Sequence, residues 1–282
     1  MLAGVPCISD RSPGNWMIPL MEAAMLGFIV LSVVFVIAVV IFHYFAICKG
    51  PRSVVISKGI ASLIFVLIGG AGLMRYSGEA GALPVMHYTL FAGLVLGFAG
   101  DILLALRNVY ASKKSQFIVF GIIAFALGHI CYSILTFDGY STELAHVDAL
   151  NGIGQIAMLG LPFVLSAAIA SVIVKTAPRF NVDYGKLKPG VLIYTCIILV
   201  FVTSAILWSI FLYTHTGALT SLWLIVPVLL FSASDYMLSM NYFDKAQKHG
   251  EPRHIIAIHV TYYLAQYMFA SYLYWPAISM TA

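Results

Sequence analysis

The stretch LVLGFAGDILLAL, residues 94–106, is apolar except for Asp101, and VPVLLFSASDYMLSM, residues 226–240, places Asp235 in a similar setting. A carboxylate next to hydrocarbon costs several kcal/mol unless it is paired, protonated or hydrated, so an acid inside such a stretch usually marks a functional site. The two stretches therefore predict one polar site to which two parts of the chain contribute.

The composition of the chain is typical of an integral membrane protein. Hydrophobic residues make up 61% of the 282 residues and charged residues only 9%, whereas soluble domains carry about 25% charged residues. We predict an all-α membrane protein with one integral membrane domain, residues 1–282, that begins with an N-terminal tail, residues 1–23. Apolar runs of about 20 residues, the length that crosses a bilayer, predict eight transmembrane helices near residues 24–48, 54–74, 84–106, 117–137, 152–174, 190–212, 219–240 and 255–278.

Lysine and arginine are unevenly distributed among the connections between these helices. All of them except Arg11 and Arg75 lie in the odd-numbered connections or at the adjoining helix ends. Because basic residues accumulate on the cytoplasmic side of a membrane, both termini are predicted to be non-cytoplasmic. The net charge of +4 follows from this topology and requires no nucleic-acid partner. The pattern fits a bacterial plasma membrane or an endoplasmic reticulum membrane equally well.

The two acidic helices have similar surroundings. The sequence DILL at residues 101–104 resembles DYML at 235–238, and each is followed by a basic connection and a related helix, with His129 in one and Gln266 in the other. Four helices in each half predict a parallel repeat with its site at the interface between the halves. Both acids would then lie at a similar depth, close to the cytoplasmic headgroups.

Further polar residues fall at or near that depth. Lys58 is predicted near the start of the second helix, and His129 and Tyr132 share a face of the fourth because residues three apart are neighbours on a helix. The other candidates for binding or orienting a substrate are Tyr194, Ser234, Asn241, His259, Tyr262, Tyr263 and Gln266. Two carboxyl groups in a partly dehydrated cavity, one of them beside a cation, favour one protonated acid and one ionised base. Such a pair suits hydrolysis through an oxocarbenium-like transition state, without a metal or another cofactor.

Several short motifs carry a family resemblance. GDILLAL at 100–106, FIVFGIIAFALGHICY at 117–132, SASDYMLSMNYF at 232–243 and TYYLAQ at 261–266 together resemble the YhhN family of lysoplasmalogenases. Lys58 and Tyr194 fit the family pattern, although Gly59 stands where the family has a proline after the lysine. The resemblance extends from about residue 50 to 270.

This resemblance implies a membrane enzyme that hydrolyses the vinyl ether bond of a lysoplasmalogen, a single-chain lysophospholipid. The products would be a fatty aldehyde and glycerophosphocholine or glycerophosphoethanolamine. Asp101 and Asp235 would be the catalytic pair, and Lys58 with other basic residues would hold the phosphate group. The sequence leaves open which aspartate is the acid, which headgroup is preferred and whether the protein is an oligomer.

Other functions fit parts of the same pattern. Acids within a bundle of eight helices are also typical of a proton-coupled transporter. A lipid-binding membrane protein is a further alternative, because it would need the same polar residues. The two aspartates could instead form a structural hydrogen-bond network. A zinc site is disfavoured because the closest histidine pair, His254 and His259, is five residues apart and points to different helix faces. A serine nucleophile is disfavoured because no GxSxG motif is present.

Overall fold

The computed structural model describes residues 14–80, 85–147, 152–243 and 252–274. These ranges contain eight long α-helices and no β-strand, so the prediction of an all-α fold is confirmed. Short 3-10 helices occupy residues 111–113, 177–180, 185–187 and 219–222. The α-helices are α1 Gly14–Cys48, α2 Pro51–Ala80, α3 Val85–Leu106, α4 Lys114–Ala145, α5 Gly152–Thr176, α6 Lys188–Thr216, α7 Ile225–Phe243 and α8 Pro252–Tyr274.

Six of these helices, α1 to α6, contain segments long and apolar enough to cross a membrane. The protein is therefore a multi-pass membrane protein. Within the described ranges, α7 and α8 do not reach the same apolarity, because they carry polar residues such as Asp235 and Gln266. Both of these side chains are buried inside the bundle rather than exposed on its surface. The eight crossings, the orientation of the termini and the parallel repeat stay predictions.

The helices do not coincide with the apolar runs of the sequence. α1 begins at Gly14 rather than near residue 24, and α4 continues to Ala145 rather than ending near 137. A helix satisfies its backbone hydrogen bonds internally, so it can extend past the hydrocarbon that the apolar run spans. α7 begins at Ile225 rather than near 219, and its first turn contains Pro227, a position where proline is tolerated. Residues 1–13 of the predicted tail and 275–278 of the last predicted span lie outside the described residues.

Glycines bring α3 and α4 close together. A Cβ atom on Gly93 would overlap the ring of Tyr132, and one on Gly100 would lie 2.7 Å from the ring of Phe125. Small residues at such positions let two helix backbones approach closely in a membrane, where packing stabilises the contact between helices. This contact fixes α4 against α3, the helix that carries Asp101.

We expect Gly93→Ala to lower the free energy of unfolding by about 1–3 kcal/mol, because the new methyl group would collide with the buried Tyr132 ring. Gly160→Ala is the matched control, since a Cβ atom there would contact nothing within 4 Å. Alanine is the better helix former, so the control should keep or raise the melting temperature. Thermal unfolding in detergent measures both variants, and an equal effect of the two would contradict the close packing of α3 and α4.

Aromatic side chains fill the centre of the bundle. Phe65, Tyr132, Phe201, Phe231 and Phe269 are each at most 1% exposed, and they come from α2, α4, α6, α7 and α8. α1 and α5 lie at the outside, because only 17% of the apolar window of each is buried in the bundle. The polar residues described next therefore lie beside a dry aromatic core, which strengthens electrostatic interactions between them.

Candidate active site

A cavity of about 200 Å³ is lined by both aspartates. Asp101 reaches it from α3 and Asp235 reaches it from α7. The other predicted candidates in its wall are Lys58, Ser234, Asn241, His259 and Tyr262. The two acids, which the sequence predicts at a similar depth, thus line one shared cavity.

Asp101 is almost fully buried and both of its carboxylate oxygens are occupied. The Nζ atom of Lys58 lies 2.8 Å from Oδ1, and the Ser62 hydroxyl donates a hydrogen bond of 2.5 Å to Oδ2. Lys58 and Ser62 are four residues apart on α2, so they lie on one face of that helix. The side chain of Lys58 is only 11% exposed, so it is enclosed by the bundle. Its ammonium group compensates the negative charge of Asp101.

Asp235 has different partners, and within the described ranges only one of its two oxygens is hydrogen-bonded. The Nε2 atom of His129 lies 2.7 Å from its Oδ2 atom, and the Tyr194 hydroxyl donates a hydrogen bond of 2.8 Å to the same atom. Among the described residues, Oδ1 has no hydrogen-bond partner. Asp235 is 8% exposed whereas Asp101 is 1% exposed. Asp235 is therefore the carboxyl group with an oxygen available to a molecule in the cavity.

His129 does not line the cavity but lies behind Asp235. Its ring packs edge-on against Phe231 at a centroid distance of 4.7 Å, and its Nδ1 atom is buried with no partner in the described part of the chain. An imidazole can donate a proton to a neighbouring carboxyl group or accept one from it. His129 is thus positioned to exchange a proton with Asp235 without contacting a ligand.

A second hydrogen-bond network orients Tyr262, which lines the cavity. The Tyr132 hydroxyl donates to Oε1 of Gln266 at 2.8 Å, and Nε2 of Gln266 donates to the Tyr262 hydroxyl at 3.2 Å. Tyr132 and Gln266 are buried behind the cavity wall. They therefore act on the site through the position of Tyr262 rather than by direct contact.

The predicted candidates on α8 have separate roles. Tyr263 is not among the residues that line the cavity; its hydroxyl lies 3.2 Å from the Ser62 hydroxyl and donates to the Lys58 carbonyl at 3.4 Å. His259 lines the cavity, and its Nδ1 atom lies 2.8 Å from the Ile255 carbonyl. Tyr263 therefore supports the residues around Asp101, whereas His259 and Tyr262 form the α8 part of the wall.

The two remaining candidates are on α7. The Ser234 hydroxyl donates to the carbonyl of Ile258 at 2.9 Å and so connects α7 to α8. Asn241 lines the cavity near the end of α7. In the described part of the chain, no three His, Cys, Asp or Glu side chains are arranged to hold a metal ion.

Four polar residues of the site do not stand out in the sequence. Ser62 contacts Asp101, and Arg107, Asn108 and Tyr242 line the cavity. One signal for Ser62 is its spacing of four residues from Lys58 on a helix. Arg107 directly follows the helix of Asp101, but in the sequence it contributes only to the charge asymmetry of the connections.

The comparison with protein families agrees with the motifs. The sequence profile of the YhhN family matches residues 55–273 of the 282 residues. The chain belongs to the YhhN family. No curated protein and no solved structure matches it. The region shared with the YhhN family begins just before Lys58 and ends in α8, so it contains both aspartates and every polar residue of the cavity wall.

Proposed function

We propose that this protein hydrolyses the vinyl ether bond of lysoplasmalogens and releases a fatty aldehyde and glycerophosphocholine or glycerophosphoethanolamine. The observation that carries the proposal is that two carboxyl groups inside a membrane protein line one small cavity and have different partners. Membership of the YhhN family is consistent with a hydrolase. Sites for vinyl ether hydrolysis need a proton donor and a negative charge that stabilises a cation, and these two carboxyl groups can supply both.

In the first step, Asp235 donates a proton to the vinyl ether carbon that is not bonded to oxygen. The free Oδ1 atom makes Asp235 the carboxyl group that a substrate can reach. Transfer of the proton leaves an oxocarbenium ion and the Asp235 carboxylate, which the Tyr194 hydroxyl stabilises by its hydrogen bond. General acid catalysis of this kind contributes about 100- to 10,000-fold to a rate. His129, whose Nε2 atom lies 2.7 Å from the same carboxyl group, orients Asp235 for this transfer.

In the second step, water adds to the oxocarbenium carbon. The Asp235 carboxylate accepts a proton from this water and so becomes the acid again, and Asp101, paired with Lys58, stabilises the positive charge of the intermediate. The hemiacetal that forms collapses to the aldehyde and the glycerol hydroxyl group. One water molecule is consumed, and no cofactor is required for the balance.

The continuity of the two acidic helices favours catalysis over proton-coupled transport. α3 and α7 continue as unbroken helices through Asp101 and Asp235. Transporters commonly interrupt their helices at the substrate site, because the exposed backbone there binds substrates and ions. α5, which has Pro162 in its interior, is not part of the cavity wall.

The proposal is tested with purified protein in maltoside detergent, where no ion gradient exists. We expect release of fatty aldehyde from a lysoplasmalogen and none from the saturated 1-alkyl analogue, which has no double bond to protonate. A protein that binds the lysoplasmalogen but releases no aldehyde would be a lipid-binding protein, and the proposed function would be wrong.

We expect Tyr194→Phe to lower kcat by about 10- to 100-fold, because Asp235 loses the hydroxyl group that stabilises its carboxylate after proton transfer. KM should change little, since Tyr194 lies outside the cavity wall. Tyr140→Phe is the control, because that hydroxyl donates to the Met158 carbonyl and neither residue lines the cavity. Steady-state rates of aldehyde release measure both, and unchanged kcat in Tyr194→Phe would rule out this role.

A further inference from the structure

Arg107 is a half-buried cation in the cavity wall, without an acidic partner among the described residues. Its Nη1 atom is buried and has no hydrogen-bond partner among the described residues. Its Cζ atom lies 4.3 Å from the centroid of the Tyr242 ring, which holds the guanidinium group by a cation–π contact. A buried charge is destabilising unless an opposite charge and hydrogen bonds compensate it. The arrangement therefore leaves Arg107 available to an anion in the cavity.

Lys58 is not available in the same way. Among the described residues it is the other lysine or arginine in the cavity wall, and its ammonium group is paired with Asp101. Burial lowers the pKa of Arg107 to about 10, so its guanidinium group still carries a charge at neutral pH. The family resemblance implies that Lys58 and other basic residues hold the phosphate group, and Arg107 is the member of that group whose charge is not paired within the described cavity wall.

We infer that Arg107 binds the phosphate diester of a lysophospholipid, an inference that rests on the proposed function. A guanidinium group offers two parallel N–H donors that match two phosphate oxygens, and arginine is the residue best suited to this geometry. Asn108, which follows it in the cavity wall, adds an amide group beside this anion site. Tyr242 keeps the guanidinium plane in place while the phosphate binds.

The spacing of Arg107 and Asp101 fits such a lipid. Arg107 follows Asp101 by six residues, which corresponds to a rise of about 9 Å along a helix. In a lysoplasmalogen, about six bonds, or about 7 Å in an extended chain, separate the oxygen-bonded carbon of the vinyl ether from the phosphorus atom, and the carbon that is protonated lies about one bond further away. A lipid with its phosphate on Arg107 therefore has its vinyl ether at the level of the aspartates.

The inference is tested by binding of lipids that cannot be hydrolysed, to the full-length protein in maltoside detergent. The two probes are a saturated 1-alkyl lysophosphatidylcholine and a 1-alkylglycerol with the same chain but no phosphate. We expect Arg107→Gln to weaken binding of the phosphate-containing probe by about 10- to 100-fold, because the substitution removes the charge-assisted hydrogen bonds between the guanidinium group and the phosphate. Arg107→Lys should fall between this variant and the wild type. Binding of the 1-alkylglycerol should not change.

Arg52→Gln is the matched control, because Arg52 is an exposed arginine outside the cavity wall. Unchanged binding of the lysolipid by Arg107→Gln would overturn the inference. Equal loss of both probes would also overturn it, since it would assign Arg107 a structural role. Inorganic phosphate is measured separately, and tighter binding of it than of the lysolipid would overturn the inference and assign the site to a free anion. Because the probes are not cleaved, a wild type that releases no aldehyde refutes the proposed function and leaves this binding result intact.

Discussion

Replacing Asp235 by asparagine is expected to lower the rate of aldehyde release by about 100- to 10,000-fold, the contribution of a general acid. Asparagine has the same shape but no proton of the required acidity. Its side-chain oxygen can still accept the hydrogen bond that Tyr194 donates, so the local structure should persist. The measurement is kcat for a lysoplasmalogen, accompanied by the melting temperature in detergent to verify that the variant is folded.

Asp101→Asn should also lose most of the activity, but for another reason. The substitution removes the negative charge that stabilises the oxocarbenium ion, and it leaves Lys58 without its partner. Asp138→Asn is the matched control for both variants, because Asp138 is an exposed aspartate on α4. Full activity of the folded Asp101→Asn protein would refute a catalytic role for this carboxyl group.

A second large effect is expected for the stability of the Lys58–Asp101 pair. Lys58→Met should lower the free energy of unfolding by about 3–5 kcal/mol, because it leaves the buried Asp101 carboxylate without a compensating charge. Methionine keeps most of the volume of the lysine stem, so little of the effect should come from a cavity. Lys113→Met, at an exposed lysine before α4, should have almost no effect.

A double variant separates the ion pair from the packing around it. Lys58→Met combined with Asp101→Asn removes both charges, and we expect it to be more stable than Lys58→Met alone. Thermal unfolding of the wild type, both single variants and the double variant gives the coupling between the two residues. Losses that simply add would mean that the two side chains do not interact, in disagreement with their distance of 2.8 Å.

The convergence of the two aspartates could be predicted from the sequence, whereas their partners could not. A charge in an apolar helix is costly, so two such charges at a similar depth predict a shared polar site. The rotation of each helix about its axis decides which partner a side chain meets, and packing sets that rotation. His129 and Tyr132 share a face of α4 as predicted, yet one contacts Asp235 and the other Gln266.

The role of Arg107 illustrates a second limit of sequence patterns. A basic residue after an apolar helix is the usual signal of a cytoplasmic connection, so nothing in the pattern separates Arg107 from Lys113 or Lys114. Only the folded chain places Arg107 in the cavity wall against Tyr242, while the other two are exposed. The hydropathy of α8 is also a poor guide to its position. Its buried polar residues make this helix less apolar than α1 to α6, although it lies inside the bundle.

The most direct test of the account is the isotopic composition of the aldehyde that the purified protein forms from a lysoplasmalogen in D2O. Protonation of the vinyl ether carbon by Asp235 predicts a single deuterium on the carbon next to the carbonyl group, as detected by mass spectrometry. The Asp235→Asn protein should give no aldehyde above the uncatalysed background. Aldehyde without this deuterium, or labelled aldehyde formed equally fast by the folded Asp235→Asn protein, would contradict the account.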